Sequence, residues 1–263
     1  MATMHPDLSS AALPNEQAVY PYAASAGLPG RTLLVFAPHP DDEVFGCGGT
    51  LARAVDAGCS VVVVIVSDGG AGGDASVRES EVHAAAAQWA HPQRMPAIHF
   101  WRLADRGLCA DEAIVARMAA LIESSGADCV LAPSPLEVHP DHRVISVAAT
   151  DAFARLAGCS ATPCLAYYEV GHPLLPNVLV DITPVLARKS RAMALFVSQL
   201  AAQRYDAHVL ALNRYRSYTL GAAVTHAEAF HVIDAAAAAR GIGALIDGWQ
   251  RGLLWRLGRT AWP

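Results

Sequence analysis

Two short segments of the chain concentrate side chains that bind metal ions or transfer protons. The first reads PHPDDE over 38–43, with one histidine and two aspartates around Pro40. Imidazole nitrogens and carboxylate oxygens both bind zinc, and one of two neighbouring carboxylates can coordinate while the other stays free. A free carboxylate beside a metal is well placed to act as a general base. Capping of the following helix would need only one of these aspartates, so capping alone does not account for the segment.

The second segment reads HPDH over 139–142. His142 would complete a metal site with His39 and Asp42, which leaves coordination positions open for water and substrate. A solvated polar turn would account for either segment on its own. The two segments together, each following a predicted strand, favour a metal centre.

The remaining side chains of the two segments suit acid–base chemistry. Asp41 is predicted to be the general base. His139 is predicted to face the developing negative charge of the substrate as a cation and to protonate the leaving amine. Asp141 is predicted to hold the tautomer of His139. These roles together indicate metal-dependent hydrolysis of an amide bond.

Short apolar runs alternate with stretches of helical character along the first part of the chain. We predict four strands, at 31–37, 60–67, 97–103 and 129–134. We predict four helices, at 43–58, 77–89, 111–125 and 143–156. Strands that alternate with helices and are apolar on both faces predict a parallel sheet that is covered on both faces. Ligand sites in such sheets lie beyond the carboxyl ends of the strands, where both polar segments fall.

The alternation of predicted strands and helices becomes less regular after residue 160. Further strands are predicted at 164–170 and 178–183, with helical segments at 184–200 and 206–217. Neither a repeat nor a clear linker is present. We predict a flexible lead-in over 1–30 and a single catalytic α/β domain over 31–263, with a C-terminal elaboration from about 160.

The composition disfavours nucleic-acid-binding, membrane-spanning and secreted proteins. The net charge of the 263 residues is -5, and no basic stripe is present to bind the phosphates of a nucleic acid. No apolar run reaches the ~18 residues of a membrane-spanning helix, and the N-terminus does not read as a secretory signal. The six cysteines are dispersed without a C-x-x-C pair, which favours a reducing compartment. We therefore expect a cytoplasmic protein.

The two segments resemble the signatures of the LmbE-like, or PIG-L, de-N-acetylases, which read A-H-P-D-D-E and H-P-D-H. The resemblance extends to an R-x-x-E pair at Arg78 and Glu81, an S-Q pair at 198–199 and A-E-A-F at 227–230. It therefore spans roughly residues 31–230. It implies a Rossmann-like domain with a mostly parallel sheet and helices on both faces, and removal of acetyl groups from N-acetylglucosaminyl compounds.

The resemblance also implies roles for single residues. It implies zinc on His39, Asp42 and His142, with Asp41 as the base and His139 as the oxyanion-stabilising acid. It further implies Asp141 as the partner of His139, and Arg78 as a contact to substrate hydroxyls. The donor types alone would also suit ferrous iron.

Two departures from the family pattern and one further residue bear on the substrate. Gly70 stands where many members carry a glutamate, and Glu137 stands where some carry a tyrosine. Both differences leave the identity of the substrate open. Asp105, after the third predicted strand, is a candidate substrate contact, with a surface ion pair as the alternative.

Three hypotheses follow for the function. The first is removal of acetyl from an N-acetylated amino sugar, free or within a glycoconjugate. The second keeps the site but acts on a non-sugar amide, either a thiol conjugate or an acylated natural product. The third is a binding module without catalysis, which the absence of G-x-G-x-x-G after the first strand disfavours.

The apolar and basic tail at 249–260 allows two interpretations. It either contacts a membrane surface or docks on its own domain. The sequence gives no indication of the oligomeric state.

Overall fold

The computed structural model describes residues 16–18, 20–91, 93–157 and 163–256. Its centre is a seven-stranded sheet with the order β3-β2-β1-β4-β5-β7-β6. The strands are β1 (Thr32–Ala37), β2 (Ser60–Ser67), β3 (Ala97–Leu103), β4 (Cys129–Pro133), β5 (Cys164–Tyr168), β6 (Val178–Asp181) and β7 (Ala227–Ile233). Strands β1 to β5 are parallel, and β7 runs antiparallel to both β5 and β6. The prediction of a mostly parallel α/β sheet is confirmed.

Helices cover both faces of the sheet. The helices are α1 (Asp42–Asp56), α2 (Ala75–Trp89), α3 (Glu112–Ser125), α4 (Pro140–Ala154), α5 (Leu186–Met193), α6 (Val197–Leu200), α7 (Tyr205–Arg216), α8 (Ala235–Ala238) and α9 (Gly241–Arg256). Side chains of α1, α2 and α5 form one apolar core with the sheet, and those of α3, α4 and α8 form a second core on the opposite face. This two-sided burial explains why β1, TLLVFA, is apolar at successive positions instead of alternating. None of the helices in the described ranges has the length and apolarity needed to cross a bilayer.

The third strand contains a bulge that redirects its end. Ile65 of β2 pairs with Phe100, but Ser67 pairs with Leu103, so β3 has one residue more than its neighbour. Arg102 lies in this extra stretch and adopts a left-handed backbone with φ 54°. Bulges bend a strand and re-aim the chain that follows. The turn after β3, residues 104–107, thereby reaches the carboxyl ends of β1 and β4.

A buried ion pair anchors α1 to the C-terminal half of the domain. Lys189 of α5 and Glu228 of β7 have fully buried side chains, with 2.6 Å between Nζ and Oε1. Lys189 Nζ also donates to the Phe45 carbonyl and to Asn213 Oδ1, both at 3.0 Å. Glu228 accepts hydrogen bonds from the amides of α1 residues 49–50, at 2.8 and 2.7 Å. This network holds the helix whose first turn carries one of the predicted metal ligands.

The two ends of the chain differ in how far the structure describes them. Of the predicted flexible lead-in, residues 1–15 and 19 lie outside the described residues, whereas Ser25 forms an isolated bridge with Val180 of β6. Of the tail at 249–260, residues 257–260 lie outside the described residues. Trp249 packs on Tyr167 and His231, with ring centroids 5.8 and 4.4 Å apart. That packing docks the start of the tail, at Trp249, on its own domain.

Most predicted elements are present, with differences in the C-terminal part. β2 and β3 have the predicted bounds, and α4 begins three residues earlier than predicted because Pro140 starts its first turn. The segment predicted as helical at 184–200 divides into α5 and α6. Strand β7 and helices α8 and α9 were not predicted.

Candidate metal centre and active site

The topology brings the two polar segments together. His39 and Asp42 follow β1, and His142 lies in the first turn of α4, after β4. β1 and β4 are neighbours in the sheet, with Leu33 paired to Cys129. Residues about a hundred positions apart in the chain therefore face each other across one edge of the sheet.

Three donor atoms form a compact triangle at this edge. His39 Nδ1 lies 3.2 Å from Asp42 Oδ2 and 3.3 Å from His142 Nε2. His142 Nε2 lies 3.1 Å from Asp42 Oδ2. Ligands of a tetrahedral zinc with bonds of about 2.0–2.1 Å lie about 3.3 Å from one another. Because all three residues are also buried, the donor set fits a zinc-like ion with part of its coordination sphere left free.

Two carboxylates contact the second ring nitrogen of His39, Nε2. Its Nε2 lies 3.2 Å from Asp105 Oδ1 and 3.3 Å from Asp141 Oδ2. Asp141 Oδ2 also accepts a hydrogen bond of 2.7 Å from the Arg106 amide. These oxygens and His39 Nε2 are themselves close enough for a metal, but Nδ1 of the same ring faces the triangle. We assign both carboxylates to the orientation of His39, as occurs around metal-bound histidines.

The position of Asp141 corrects one sequence prediction. Its carboxylate contacts His39 and not His139, whereas its backbone amide donates to His139 Nδ1 at 3.2 Å. The reason is local geometry. His139 is the N-cap of α4, and an N-cap side chain accepts from an amide of the first turn. The tautomer of His139 is therefore set by the backbone of Asp141.

The triangle carries positive charge when no metal neutralises it. Burial lowers the pKa of His39, but hydrogen bonds to Asp105 and Asp42 outweigh burial and raise that pKa to about 10. Burial also opposes protonation of His142, but Asp42 raises its pKa to about 9. Burial alone would raise the pKa of Asp42, and the two histidines hold it well below its usual range. A metal ion would replace the protons on both rings.

Asp41 lies beside the triangle and is held by Arg78. Arg78 Nη2 donates to Asp41 Oδ2 and to the Pro40 carbonyl, both at 3.1 Å, and Nη1 donates to the Gly69 carbonyl at 2.9 Å. The Asp41 side chain keeps 14% of its surface exposed. Burial and the neighbouring Asp42 raise the pKa of Asp41 to about 7, although Arg78 lowers it. A carboxylate that titrates near neutral pH suits a general base.

Arg78 is placed differently from its predicted role as a substrate contact. Its side chain is 3% exposed, and the guanidinium contacts Asp41 and the glycine-rich loop over residues 69–73. Gly69 has a left-handed backbone with φ 65°, and a β-carbon there would collide with Arg78. The glycine-rich loop is thus shaped around this arginine. Its contacts indicate that Arg78 positions Asp41.

His139 lies next to the two predicted histidine ligands. Its ring centroid is 4.6 Å from that of His39 and 5.4 Å from that of His142. Burial and the two neighbouring histidines lower the pKa of His139. Since Nδ1 accepts a hydrogen bond, the neutral ring carries its proton on Nε2. The structure favours this neutral donor over the cation that we predicted.

The structure also assigns contacts to residues whose roles were left open. Asp105 is not part of a surface ion pair, because its Oδ1 contacts His39 and its Oδ2 accepts from the Ala71 amide at 3.1 Å.

Sequence reasoning missed Glu137 as a site residue, although it is 2% exposed and contacts His142. The signal was a carboxylate two residues before the second polar segment. We read it only as a departure from the family pattern.

Comparison with known proteins identifies the family of this chain. The family profile described as PIG-L, GlcNAc-PI de-N-acetylase, matches residues 34–153, which run from β1 to α4 and include both polar segments. A crystal structure of a conserved protein from Thermus thermophilus is 30% identical, with a TM-score of 0.66, and the match covers 76% of this chain and 93% of that one. The chain belongs to the PIG-L family.

Two relatives that are similar to this chain are named for their activity. Diacetylchitobiose deacetylase from Thermococcus kodakarensis is 28% identical over 190 residues, which are 64% of this chain and 70% of that protein. The structure of N,N'-diacetylchitobiose deacetylase from Pyrococcus horikoshii has a TM-score of 0.68 at 23% identity. That match covers 78% of this chain and 85% of the other, and it supports the fold.

Proposed function

We propose that the protein is a metal-dependent de-N-acetylase that removes acetyl from an N-acetylated amino sugar and releases acetate and the free amine. The observation that carries this proposal is the triangle of His39, Asp42 and His142 donor atoms beside Asp41. The activity named for the diacetylchitobiose deacetylases supports the choice of an amino sugar. The second hypothesis, a non-sugar amide, requires the same site.

We propose zinc as the ion. Two imidazoles and one carboxylate with open positions are typical of catalytic zinc, and ferrous iron accepts the same donors. An ion held by these three residues supplies Lewis acidity, which polarises an acyl oxygen and makes a water molecule more acidic.

The protein's own groups complete the reaction. Asp41 accepts a proton from the attacking water as the bond between water oxygen and acyl carbon forms. The hydrogen bond from Arg78 fixes the carboxylate for this transfer. Asp41 then delivers the proton to the nitrogen as the carbon–nitrogen bond breaks, so that acetic acid and a neutral amine leave, and the acid loses its remaining proton to become acetate.

His139 stabilises the charge that develops between these steps. Its Nε2 proton is available because Nδ1 accepts from the Asp141 amide. A neutral imidazole donates this hydrogen bond to the acyl oxygen without having to lose its proton. Of the two groups, Asp41 is therefore the proton carrier and His139 is the oxyanion donor.

The test combines metal content with acetate release. Purified protein is analysed by plasma emission, and acetate is measured with N-acetylglucosamine and N,N'-diacetylchitobiose as substrates. Asp41→Asn should keep the metal and lose activity, whereas Asp206→Asn, in an exposed ion pair with Arg204, should change neither.

Other outcomes separate the hypotheses. Metal without activity on any N-acetylated sugar, but with activity on a simple acetamide, would move the function to non-sugar amides. Failure to bind zinc or iron after reconstitution would overturn the enzyme proposal and favour a binding module.

A further inference from the structure

Glu137 connects a predicted metal ligand to the chain segment that follows β5. Its side chain is 1% exposed, although it carries a carboxylate. Oε1 accepts from the amides of Val170 and His172 at 2.6 and 3.4 Å. The amide of Gly171 lies between the two oxygens, at 3.2 Å from Oε1 and 3.1 Å from Oε2. One side chain therefore accepts hydrogen bonds from three consecutive backbone amides.

The same carboxylate faces His142. Oε2 lies 3.6 Å from His142 Nδ1, while Nε2 of that ring belongs to the donor triangle. At 3.6 Å the two atoms are beyond hydrogen-bond distance, and among the described residues His142 Nδ1 has no hydrogen-bond partner. An imidazole that binds a metal through Nε2 carries its proton on Nδ1. Glu137 is the acceptor that this proton faces.

We propose that Glu137 is a positioning residue that couples metal binding at His142 to the order of residues 170–172. The inference rests on the metal site of the proposed function. When the ion is bound, the Nδ1 proton of His142 binds Glu137 Oε2, which draws the carboxylate and its three amides into one fixed arrangement. Without the ion, no metal bond fixes the ring of His142, so Nδ1 is held less firmly against Glu137 and residues 170–172 are less ordered.

A second carboxylate in the same segment provides a matched control. Glu169 Oε2 accepts from the Leu174 amide at 2.9 Å, and Glu169 forms a buried pair with Arg216. Glu169 therefore holds the far end of the segment, but none of its hydrogen bonds or ion pairs is with His142. Changes at Glu137 and Glu169 both disturb the segment, and only the first should change zinc affinity.

The decisive experiment measures zinc affinity and backbone exchange on the full chain. Zinc affinity is determined by competition with a chelator for wild type, Glu137→Gln and Glu169→Gln. The amide of a glutamine would place a donor against the protonated Nδ1, so Glu137→Gln should weaken zinc binding by about 10–100-fold. Glu169→Gln should stay within about twofold of wild type. Hydrogen exchange of amides 170–172 should slow on zinc addition in wild type and not in Glu137→Gln.

Each result has a defined meaning. Equal zinc affinity in wild type and Glu137→Gln, or exchange at 170–172 that ignores zinc in wild type, would overturn the coupling. Absence of zinc binding in wild type would instead overturn the metal site of the proposed function. If Glu137→Gln does not fold, Glu137→Asp replaces it. The shorter carboxylate cannot reach both the amides and His142, so the same loss of zinc affinity is expected.

Discussion

Replacement of Lys189 by methionine should destabilise the protein strongly, because it leaves a carboxylate buried without its cation. Lys189 Nζ makes three contacts of 3.0 Å or less, to Glu228, Asn213 and the Phe45 carbonyl. Methionine fills a similar volume but donates no hydrogen bond. Among the described residues, Glu228 would keep only the two amides of α1 residues 49–50 as hydrogen-bond donors.

The size of the effect follows from the burial of both partners. Their side chains are 0% exposed, so neither water nor salt can compensate for the lost charge. Breaking a buried pair by removal of one partner costs about 3–5 kcal/mol. In a domain of this size, each kcal/mol lowers Tm by about 2–4 °C, so a fall of roughly 6–20 °C is expected.

Thermal and urea unfolding, followed by circular dichroism, measure this effect. Arg204→Met is the matched control, because it breaks an exposed ion pair with Asp206 and should cost at most about 1 kcal/mol. Adding Glu228→Gln to Lys189→Met should recover part of the loss, since the buried charge is then removed as well. A Lys189→Met protein as stable as wild type would refute the claim that this pair anchors α1.

Three further predictions concern the site. Asp41→Asn should lower kcat by at least about 10²-fold, because a carboxamide cannot accept the water proton, and a fall in metal content instead would contradict its role as a base. Since the pKa values of His39 and His142 are raised to about 10 and 9, both rings are protonated at pH 7 in the metal-free protein. Zinc binding should therefore release protons, and its affinity should rise as the pH rises from 7 toward 10. Calorimetry in buffers of different ionisation enthalpy measures this release, and a pH-independent affinity would refute it. At a free zinc concentration of 100 times Kd, zinc should stabilise the protein by about 2.7 kcal/mol, and a chelator should reverse that gain. A Tm that is independent of zinc would contradict the site.

The strands and the ligand set could be predicted because their signals are local. The apolar run over 60–67 ends in turn-forming residues, and β2 has those bounds. The donors of the triangle fall in two short segments that each follow a strand. Once the strands are parallel, neighbouring carboxyl ends bring these segments to one edge.

The contacts within the site could not be predicted, because they depend on ring orientation across two strands. Asp141 is two residues from His139, and sequence spacing alone pairs those side chains. The fold places its carboxylate on His39 instead. The lowered pKa of His139 could likewise not be predicted, because it comes from burial and from two histidines at other positions.

Strand β7 was missed because its pairing is distant and its pattern is mixed. Its sequence AEAFHVI places Glu228, which is fully buried, among apolar residues. No local sequence pattern predicts that a carboxylate will be buried within a strand. Its partner, Lys189, lies 39 positions away and on a different element.

The order of the strands affects how the chain folds while it is being synthesised. The seventh strand lies between the fifth and sixth, so the sixth strand joins the sheet only through a segment that is synthesised later. Until residue 233 has left the ribosome, the edge of β5 stays open and β6 has no partner strand. An unpaired edge invites association with other chains. Proteins shortened before Ile233 should therefore aggregate instead of folding with a smaller sheet, and Ser25, which bridges β6, would lose its position together with that edge.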